Sequence, residues 1–569
     1  MKTKITDREI LNEIYHKYIM GIPYIKALII PTLLCMFVSR ILEVKLGVIM
    51  QQVAQEISSG NESSYPDLIR SFFIVAFLSC LLIELQGYIF TGPIQRAFRE
   101  ASKSTFKKYL SMEHTAFHKM GLGAIQATID RKSKAVSEIL DVLIINFLPV
   151  TLVIILSTWK ISNILGHFAA LILNITLIAY GFITISIAIW RNEIRKEMNK
   201  SINRSSDLLY DSLSNFDVVK AFNNERVEAE RYDITLKDLE AHSNKLWKSF
   251  YFLNFLQRLV FALQTGAIIY FGLYGYLMKQ MTSDEFILYM AISRILASNL
   301  DKLGYMYSRY SAAMTNAKMS AFPIYKPYPK LLYPLREFNY NIQFKDVSLS
   351  HAGHLLLDNI NITINRGEKI AIIGANGVGK SSLIKVLMGF AEYNGIIMFD
   401  GEDISHMSPD SIRDMIAYVP QEPLLFNETV KYNLKYSNPE CSDYNLVSTC
   451  KKFNIHASIS RLDGGYNAMV GHRGSNLSGG EKQKISLIRA FLKDTEILVM
   501  DEPTANLDKE SENEIIKTTI TYFETKTMLM IIHNLELLPH FDRIFYIGDG
   551  TVTEVGLDHE FIKKSKWAN

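Results

Sequence analysis

Eight residues, Gly374-Ala375-Asn376-Gly377-Val378-Gly379-Lys380-Ser381, constrain this chain more than any other feature. A β-rich run, Lys369–Ile373, precedes them, and a helical pattern, Ser381–Met388, follows. Strand, glycine-rich loop and helix in that order make a phosphate-binding site. The glycines let backbone N–H groups approach phosphate, Lys380 supplies charge, and the Ser381 hydroxyl can hold Mg²⁺, with Ser382 completing the nucleotide-binding set. About a hundred residues later comes Leu477-Ser478-Gly479-Gly480-Glu481, then the apolar run Ile497–Met500 closed by Asp501-Glu502. Together, in this order, the elements predict ATP binding and hydrolysis by an α/β P-loop domain.

That domain is only part of the chain, because 569 residues are too many for one domain. Hydrophobic residues make up 48% and aromatics 11%, and the mean hydropathy is +0.08, high for a soluble nucleotidase. The excess sits in the first 320 residues. A net charge of +3 argues against a dedicated nucleic-acid binder. The four cysteines, Cys35, Cys80, Cys441 and Cys450, show neither metal spacing nor a disulfide pattern. The opening residues Met1–Met20 mix acids with bases, matching neither a signal peptide nor an acid-poor transit peptide.

Six apolar stretches, near 25–52, 70–92, 136–158, 164–189, 251–277 and 284–307, are long enough to cross a hydrocarbon layer of about 30 Å as helices. Between them, residues 96–134 carry nine Lys or Arg and 191–250 carry eleven, whereas the segments near 53–69, 159–163 and 278–283 carry at most one each. The positive-inside rule therefore puts both long basic segments and the N-terminus on the side of the nucleotide domain. Six spans from an inside start also return the chain inside. The basic segments are too polar for lipid, yet 191–250 keeps helical spacing through Leu208, Leu209, Leu213, Val218 and Val219. They read as membrane helices extended into water, with short helices at their tips, near Ser111–Gly121 and Ser212–Asn223, that touch the nucleotide domain.

Pro323, Pro327, Pro329 and Pro334 mark the boundary. The expected division is a six-span helical domain over 1–322, a linker over 323–340 and a nucleotide domain over 341–569. Within the latter, Asp501 ends a buried strand, placing a carboxylate near Mg²⁺. Glu502 is the expected general base. His533, just after the apolar strand Thr527–Ile532, can donate to the γ-phosphate, and the Gln421 amide oxygen can reach Mg²⁺ from beside a more helical region, 433–489.

Gln421, Leu477–Glu481, Asp501-Glu502, Ala505-Asn506-Leu507-Asp508 and His533 together resemble the nucleotide domain of ATP-binding cassette (ABC) transporters. With six preceding spans, the chain resembles a type I ABC exporter half-transporter: a polytopic α-helical membrane domain followed by an α/β P-loop ATP-binding cassette. The resemblance implies that two cassettes sandwich two ATPs. The phosphate loop of one then faces Ser478, Gly479, Gly480 and Glu481 of the other, at a helix start suited to anions, and Asp508 belongs to the same nucleotide set. A narrower resemblance lies in Trp190–Arg195, Asp211–Glu225 and Phe252–Gln257, with His114–His118 and Ile129-Asp130-Arg131. These look like the ATM type, subfamily B half-transporters of the mitochondrial inner membrane linked to iron–sulfur assembly and metal tolerance.

That type implies a glutathione-like or sulfur-bearing thiol cargo, held by Arg191, Arg195, Asn254 and Gln257. The spacing agrees, since Arg191 and Arg195 are i, i+4 on one helix face and Asn254 and Gln257 are i, i+3. Guanidiniums can hold carboxylates bidentately. Two positions depart from the type. His351, placed in the loop before the first cassette strand, stands where a tyrosine stacks on adenine. Tyr307 is followed by Ser308, with Arg309 one step on, a shift of about 100° around the helix. The implied partners are ATP and Mg²⁺, a second copy or a related half-transporter, membrane lipid and a small thiol, with no nucleic acid. The expected place is a mitochondrial or mitochondrion-derived inner membrane, the plasma membrane being the alternative in view of an N-terminus without the type's long targeting extension. Competing readings are a half-transporter for peptides, lipids or drugs and a non-hydrolysing ATP-gated regulator.

Overall fold

A computed structural model describes residues 6–59, 63, 65–112, 114–120, 122–277, 282–300, 303–320, 333–334, 337–351, 354–504 and 509–558. The chain forms two compact units, Met1–Leu110 with Leu122–Ile324, and Ser111–Gly121 with Tyr325–Asn569. Pro323, Pro327 and Pro329 lie outside the described residues.

The first unit is helical. A capping box between Thr6 and Glu9 starts α1 (Asp7–Glu13), which runs on as a π-helix over Ile14–Met20. α2 (Pro23–Ser59) and α3 (Tyr65–Leu110) follow. Beyond α4 (His114–Met120), which belongs to the other unit, α5 (Leu122–Leu140) continues through a π-helical stretch, Asp141–Phe147, into α6 (Leu148–Ser214). A short tip helix, α7 (Phe216–Ala221), leads to α8 (Glu225–Leu277), α9 (Ser283–Leu300) and α10 (Leu303–Ser320). Among the described residues, Pro23–Ser59, Tyr65–Leu110, Ile125–Ile164 and Ala169–Ser214 are long and apolar enough to cross a bilayer. The other two expected spans fall on the end of α8 and on α9 with the start of α10.

Helix is the form such a segment must take, since in hydrocarbon each backbone group needs a partner within its own segment. Three details differ from expectation. The third span stays helical through 159–163, where a connecting loop was expected, and breaks instead at Gly166, whose φ of 82° suits a residue without Cβ. The first span is longer than its apolar core. Helix also ends at Leu300 and restarts at Leu303 inside the sixth expected span. Ile30, Phe73, Phe77, Ile178 and Phe182 are exposed, as lipid-facing side chains would be. Inside, Val153, Leu173, Leu288, Ile292 and Leu296 form one core, and Tyr18, Phe90, Ala97 and Ile139 another.

The second unit is α/β. A four-stranded antiparallel sheet, ordered β2-β1-β4-β5, comprises β1 (Asn341–His351), β2 (His354–Asn365), β4 (Tyr393–Phe399) and β5 (Glu402–Asp403). A six-stranded sheet, ordered β10-β9-β3-β8-β7-β6, contains β3 (Lys369–Gly374), β6 (Ile416–Val419), β7 (Ile497–Asp501), β8 (Thr527–Ile531), β9 (Arg543–Gly548) and β10 (Thr551–Val555). All its pairings are parallel except β9 with β10. Every residue of β3, β7 and β8 is buried, as apolar strands covered on both faces require. The helices are α11 (Lys380–Leu387), α12 (Pro409–Met415), α13 (Val430–Lys435), α14 (Asp443–Lys452), α15 (His456–Arg461), α16 (Gly479–Leu492) and α17 (Lys509–Tyr522). One core, with Phe344, Ile372, Leu383 and Phe399, fills the space between the sheets; the other, with Ala371, Leu434, Ile485 and Met500, joins the parallel sheet to the helical region. α4 packs into this unit, its His114 ring stacked on Phe390 at 4.3 Å and 23°.

Candidate functional site

β3 delivers the chain to the phosphate loop, and the loop's shape rests on glycine. At Gly374 φ is 151°, and a Cβ there would lie 2.3 Å from the Ile547 carbonyl oxygen, so only glycine lets the loop leave β3 beside β9. The loop ends at Gly379, which caps α11 in the left-handed region. Lys380 is buried, and its ammonium donates to the carbonyls of Gly374 and Ala375 at 2.9 Å each. Burial lowers its pKa, against the pull of Glu502 and Asp501. The loop thus holds a desolvated cation in place, and a desolvated cation interacts more strongly with phosphate.

Parallel pairing carries the second group of residues to the same place. Asp501 at the end of β7 is 2% exposed, and burial raises its pKa while a hydrogen bond from Ser381 opposes the shift. Ser381 Oγ donates to Asp501 Oδ1 at 2.9 Å. Next to it, Glu502 sits at φ +48°, a strained backbone for a residue with a Cβ. Both its carboxylate oxygens are engaged: Gln421 Nε2 donates to Oε2 at 2.8 Å, and His533 Nε2 lies 2.6 Å from Oε1. Around them is a polar cavity of about 420 Å³ lined by Asn376, Gly377, Gly379, Lys380, Ser381, Ser382, Gln421 and Glu502, with Leu356 as an apolar wall.

The donor set fits Mg²⁺ held together with a nucleotide. Among the described residues no group of three or more His, Cys, Asp or Glu could hold an ion by itself. A buried carboxylate beside a hydroxyl, with an amide oxygen near, suits an ion that keeps phosphate and water oxygens as its other ligands.

Ser478, Gly479, Gly480 and Glu481 are absent from that cavity lining. They form the start of α16, where Ser478 and Glu481 close a capping box: Ser478 Oγ accepts from the Glu481 amide at 3.3 Å, and the Glu481 carboxylate accepts from the Ser478 amide at 2.9 Å. The Glu481 carboxylate is thereby committed to the helix start. Asp508 lies outside the described residues, as does the side chain of His351. The His351 backbone ends β1, paired with His354, so it follows the first cassette strand and does not precede it. Two residues escaped the sequence reading. Glu512 accepts from Thr504 Oγ1 at 2.7 Å and from Asn534 Nδ2 at 2.9 Å, tying the segment after β7 to the one after His533. Half-buried Arg489 of α16 donates to Leu424 O at 3.0 Å, anchoring the segment that carries Gln421. No local motif announces either contact.

In the membrane unit, Arg191 and Arg195 of α6 sit one turn apart. Arg191 is buried, donates from Nε to Ser249 Oγ at 3.0 Å, and lies over the Phe250 ring at 5.3 Å. Arg195 donates to the Ser308 carbonyl at 3.1 Å and to the Ser308 hydroxyl. Gln257 of α8, 2% exposed, donates to Thr184 Oγ1 at 2.9 Å, and Asn254 is half-buried one turn earlier. Arg309, where the sequence departs from the type, pairs with Asp141 at 2.8 Å in the π-helical stretch. Beside these groups an apolar cavity of about 410 Å³ is lined by Val142, Phe147, Tyr180, Thr184, Met306 and Tyr307, among others. Ser249, Thr184 and Ser308 are the partners that sequence spacing missed.

A membrane-type helical unit joined to a cassette with this phosphate site defines an ABC half-transporter, and the matches agree. The model described as "ABC transporter" covers residues 357–505, and "ABC transporter transmembrane region" covers 28–300. The Neurospora crassa "Iron-sulfur clusters transporter atm1, mitochondrial" is 32% identical over 499 residues, 85% of this chain and 69% of that one. The Arabidopsis thaliana "ABC transporter B family member 24, mitochondrial" is 30% identical over 561 residues, 94% and 82%. A solved bacterial Atm1-family ABC exporter with ATP bound shares the fold at a TM-score of 0.87 over 98% of both chains, with 24% identity. The chain belongs to the Atm1-type ABC half-transporters. It is a membrane protein that binds ATP and hydrolyses it to drive export.

Proposed function

We propose that this exporter moves a small anionic thiol or sulfur-bearing compound, such as a glutathione derivative, away from the nucleotide side, in service of iron–sulfur or metal homeostasis. The observation that carries the reading is the buried Arg191 with Arg195 one turn on, and the buried Gln257 amide bonded to Thr184, two turns before Arg191 on the same helix. Cations and amides at membrane depth are costly unless they serve a cavity, and paired guanidiniums suit a carboxylate-bearing cargo. Relatives named as mitochondrial iron–sulfur cluster transporters support the cargo class and a mitochondrial or mitochondrion-derived inner membrane.

The phosphate loop and Lys380 hold the nucleotide phosphates, Ser381, Asp501 and Gln421 would hold Mg²⁺, and Glu502 takes the proton of the attacking water. Mg²⁺ would offset charge on the phosphate oxygens. His533 and Gln421 fix the Glu502 carboxylate, and His533 can turn its other contacts toward the γ-phosphate. The missing wall of the cavity, Ser478 with the Gly479 and Gly480 amides, comes from a second copy, so the working unit is a homodimer. Pairing with a related half-transporter would serve the same geometry.

Purified protein in lipid should show ATP hydrolysis raised by glutathione derivatives. No stimulation across a series of such thiols would remove the cargo assignment while leaving the pump. A second reading, export of a lipid or drug, draws on the apolar cavity beside Thr184 and Tyr307; stimulation by uncharged amphiphiles in place of thiols would favour it.

A further inference from the structure

A second cavity in the membrane unit has a different character. About 310 Å³ in volume, it lies between α2 and α6 and is lined by Val44, Lys45 and Val48 on one side and Leu156, Trp159 and Lys160 on the other. On α2, Ile41, Val44, Lys45 and Val48 share one face, and on α6 Trp159 and Lys160 follow Leu156 by three and four positions. Two lysines thus line one cavity from separate helices. Neither has an ion-pair partner among the described residues; the acid nearest in sequence, Glu43, is taken by Arg40 at 2.6 Å and by Asn299 at 2.9 Å.

The position along the membrane is legible too. Lys160 precedes the helix break at Gly166 by under two turns, at the end of the third span. That end is the side the positive-inside rule places away from the basic segments. Trp159 is 62% exposed, which fits an indole at the headgroup level. Below the lysines, the walls formed by Ile41, Val44 and Leu156 match acyl chain. Two like charges lining one cavity without a counter-charge repel, and an anion between them relieves the repulsion.

We propose that this cavity binds the phosphate of an anionic phospholipid, the two ammoniums flanking the phosphodiester and the chains lying on Ile41, Val44 and Leu156. The site is separate from the ATP cavity and from the Arg191–Arg195 face, so it stands or falls independently of the cargo reading.

The test uses the full-length protein, reconstituted in vesicles of equal phosphatidylglycerol and phosphatidylcholine, extracted, and read by native mass spectrometry for retained lipid. The wild type should retain phosphatidylglycerol selectively. K45Q/K160Q should lose it by about tenfold or more, on the usual scale of two lysines at an anionic surface, while K45R/K160R should keep it. Millimolar inorganic phosphate should not displace the lipid. A wild type with no preference for phosphatidylglycerol overturns the proposal without recourse to any variant. A Gln variant that retains phosphatidylglycerol undiminished, or displacement by free phosphate, overturns it as well.

Discussion

The ATP site and the arginine face of the membrane unit are both polar constellations in buried surroundings, yet they are built in opposite ways. In the cassette, the key groups sit at the ends of neighbouring parallel strands or in the loop that follows one. β8 pairs directly with both β3 and β7, so Lys380, Asp501, Glu502 and His533 are brought together by sheet register. Their hydrogen bonds stay within the site: Ser381 to Asp501, Gln421 and His533 to Glu502, and Lys380 to the loop carbonyls of Gly374 and Ala375. The site is preorganised for the nucleotide. In the membrane unit, Arg191, Arg195 and Gln257 lie on long helices and are satisfied by Ser249, Ser308 and Thr184, residues with no part in the motif. Those bonds must be exchanged before a cargo can be held. Preorganised groups make catalysis strong, and exchangeable ones make binding tunable.

If that contrast is right, substitutions in the cassette act on rate and those in the membrane unit act on cargo response. The largest effect belongs to Glu502→Gln, which keeps the shape and the Gln421 contact but removes the base. Phosphate release should fall by about 10²- to 10⁴-fold with ATP binding retained; normal turnover in that variant would sink the assignment. His533→Ala comes next. Losing one hydrogen bond to a charged carboxylate is worth roughly 1.5–3 kcal/mol, so kcat should drop about 10- to 100-fold with little change in the concentration of ATP needed. In the membrane unit, Arg191→Ala with Arg195→Ala should leave basal hydrolysis intact and raise the thiol concentration for half-maximal stimulation by roughly tenfold or more. Loss of basal hydrolysis there, with the melting temperature unchanged, would break the separation of the two regions.

How much of this could be read from the residues follows the same divide. The phosphate loop and the strand ends that carry Asp501 and Glu502 were legible because β register converts short motifs into proximity, and a buried parallel strand reads as an unbroken apolar run. Spans were legible as apolar length, and the tip helices α4 and α7 fall where the basic segments turn. Gly166 was not, since Trp159–Asn163 carries enough polar character to resemble a loop, yet helix continues through it until a residue with positive φ allows the break. Nor were the partners of the arginines. Ser308 is 113 residues from Arg195, and nothing local to either names the other. Glu512, which ties the segments after β7 and β8 together, lies on an otherwise ordinary exposed helix face. Tertiary contacts between distant helices leave no periodic trace.

Ser308 gives the smallest and sharpest discrimination. It occupies the position where the type carries arginine, and here it holds Arg195 through its carbonyl and its hydroxyl together. Ser308→Ala removes the hydroxyl bond and leaves the carbonyl one. The hydroxyl bond is made in the free state only, so its loss destabilises the empty site relative to the loaded one; with the carbonyl bond retained the loss is roughly 0.5–1.5 kcal/mol, below the full value for a bond to a charged group. The thiol concentration for half-maximal stimulation should therefore fall by about two- to tenfold, with maximal turnover and melting temperature nearly unchanged. A rise would mean that the Ser308 hydroxyl meets the cargo itself, and the exchange of bonds that separates this region from the cassette would not take place at Arg195.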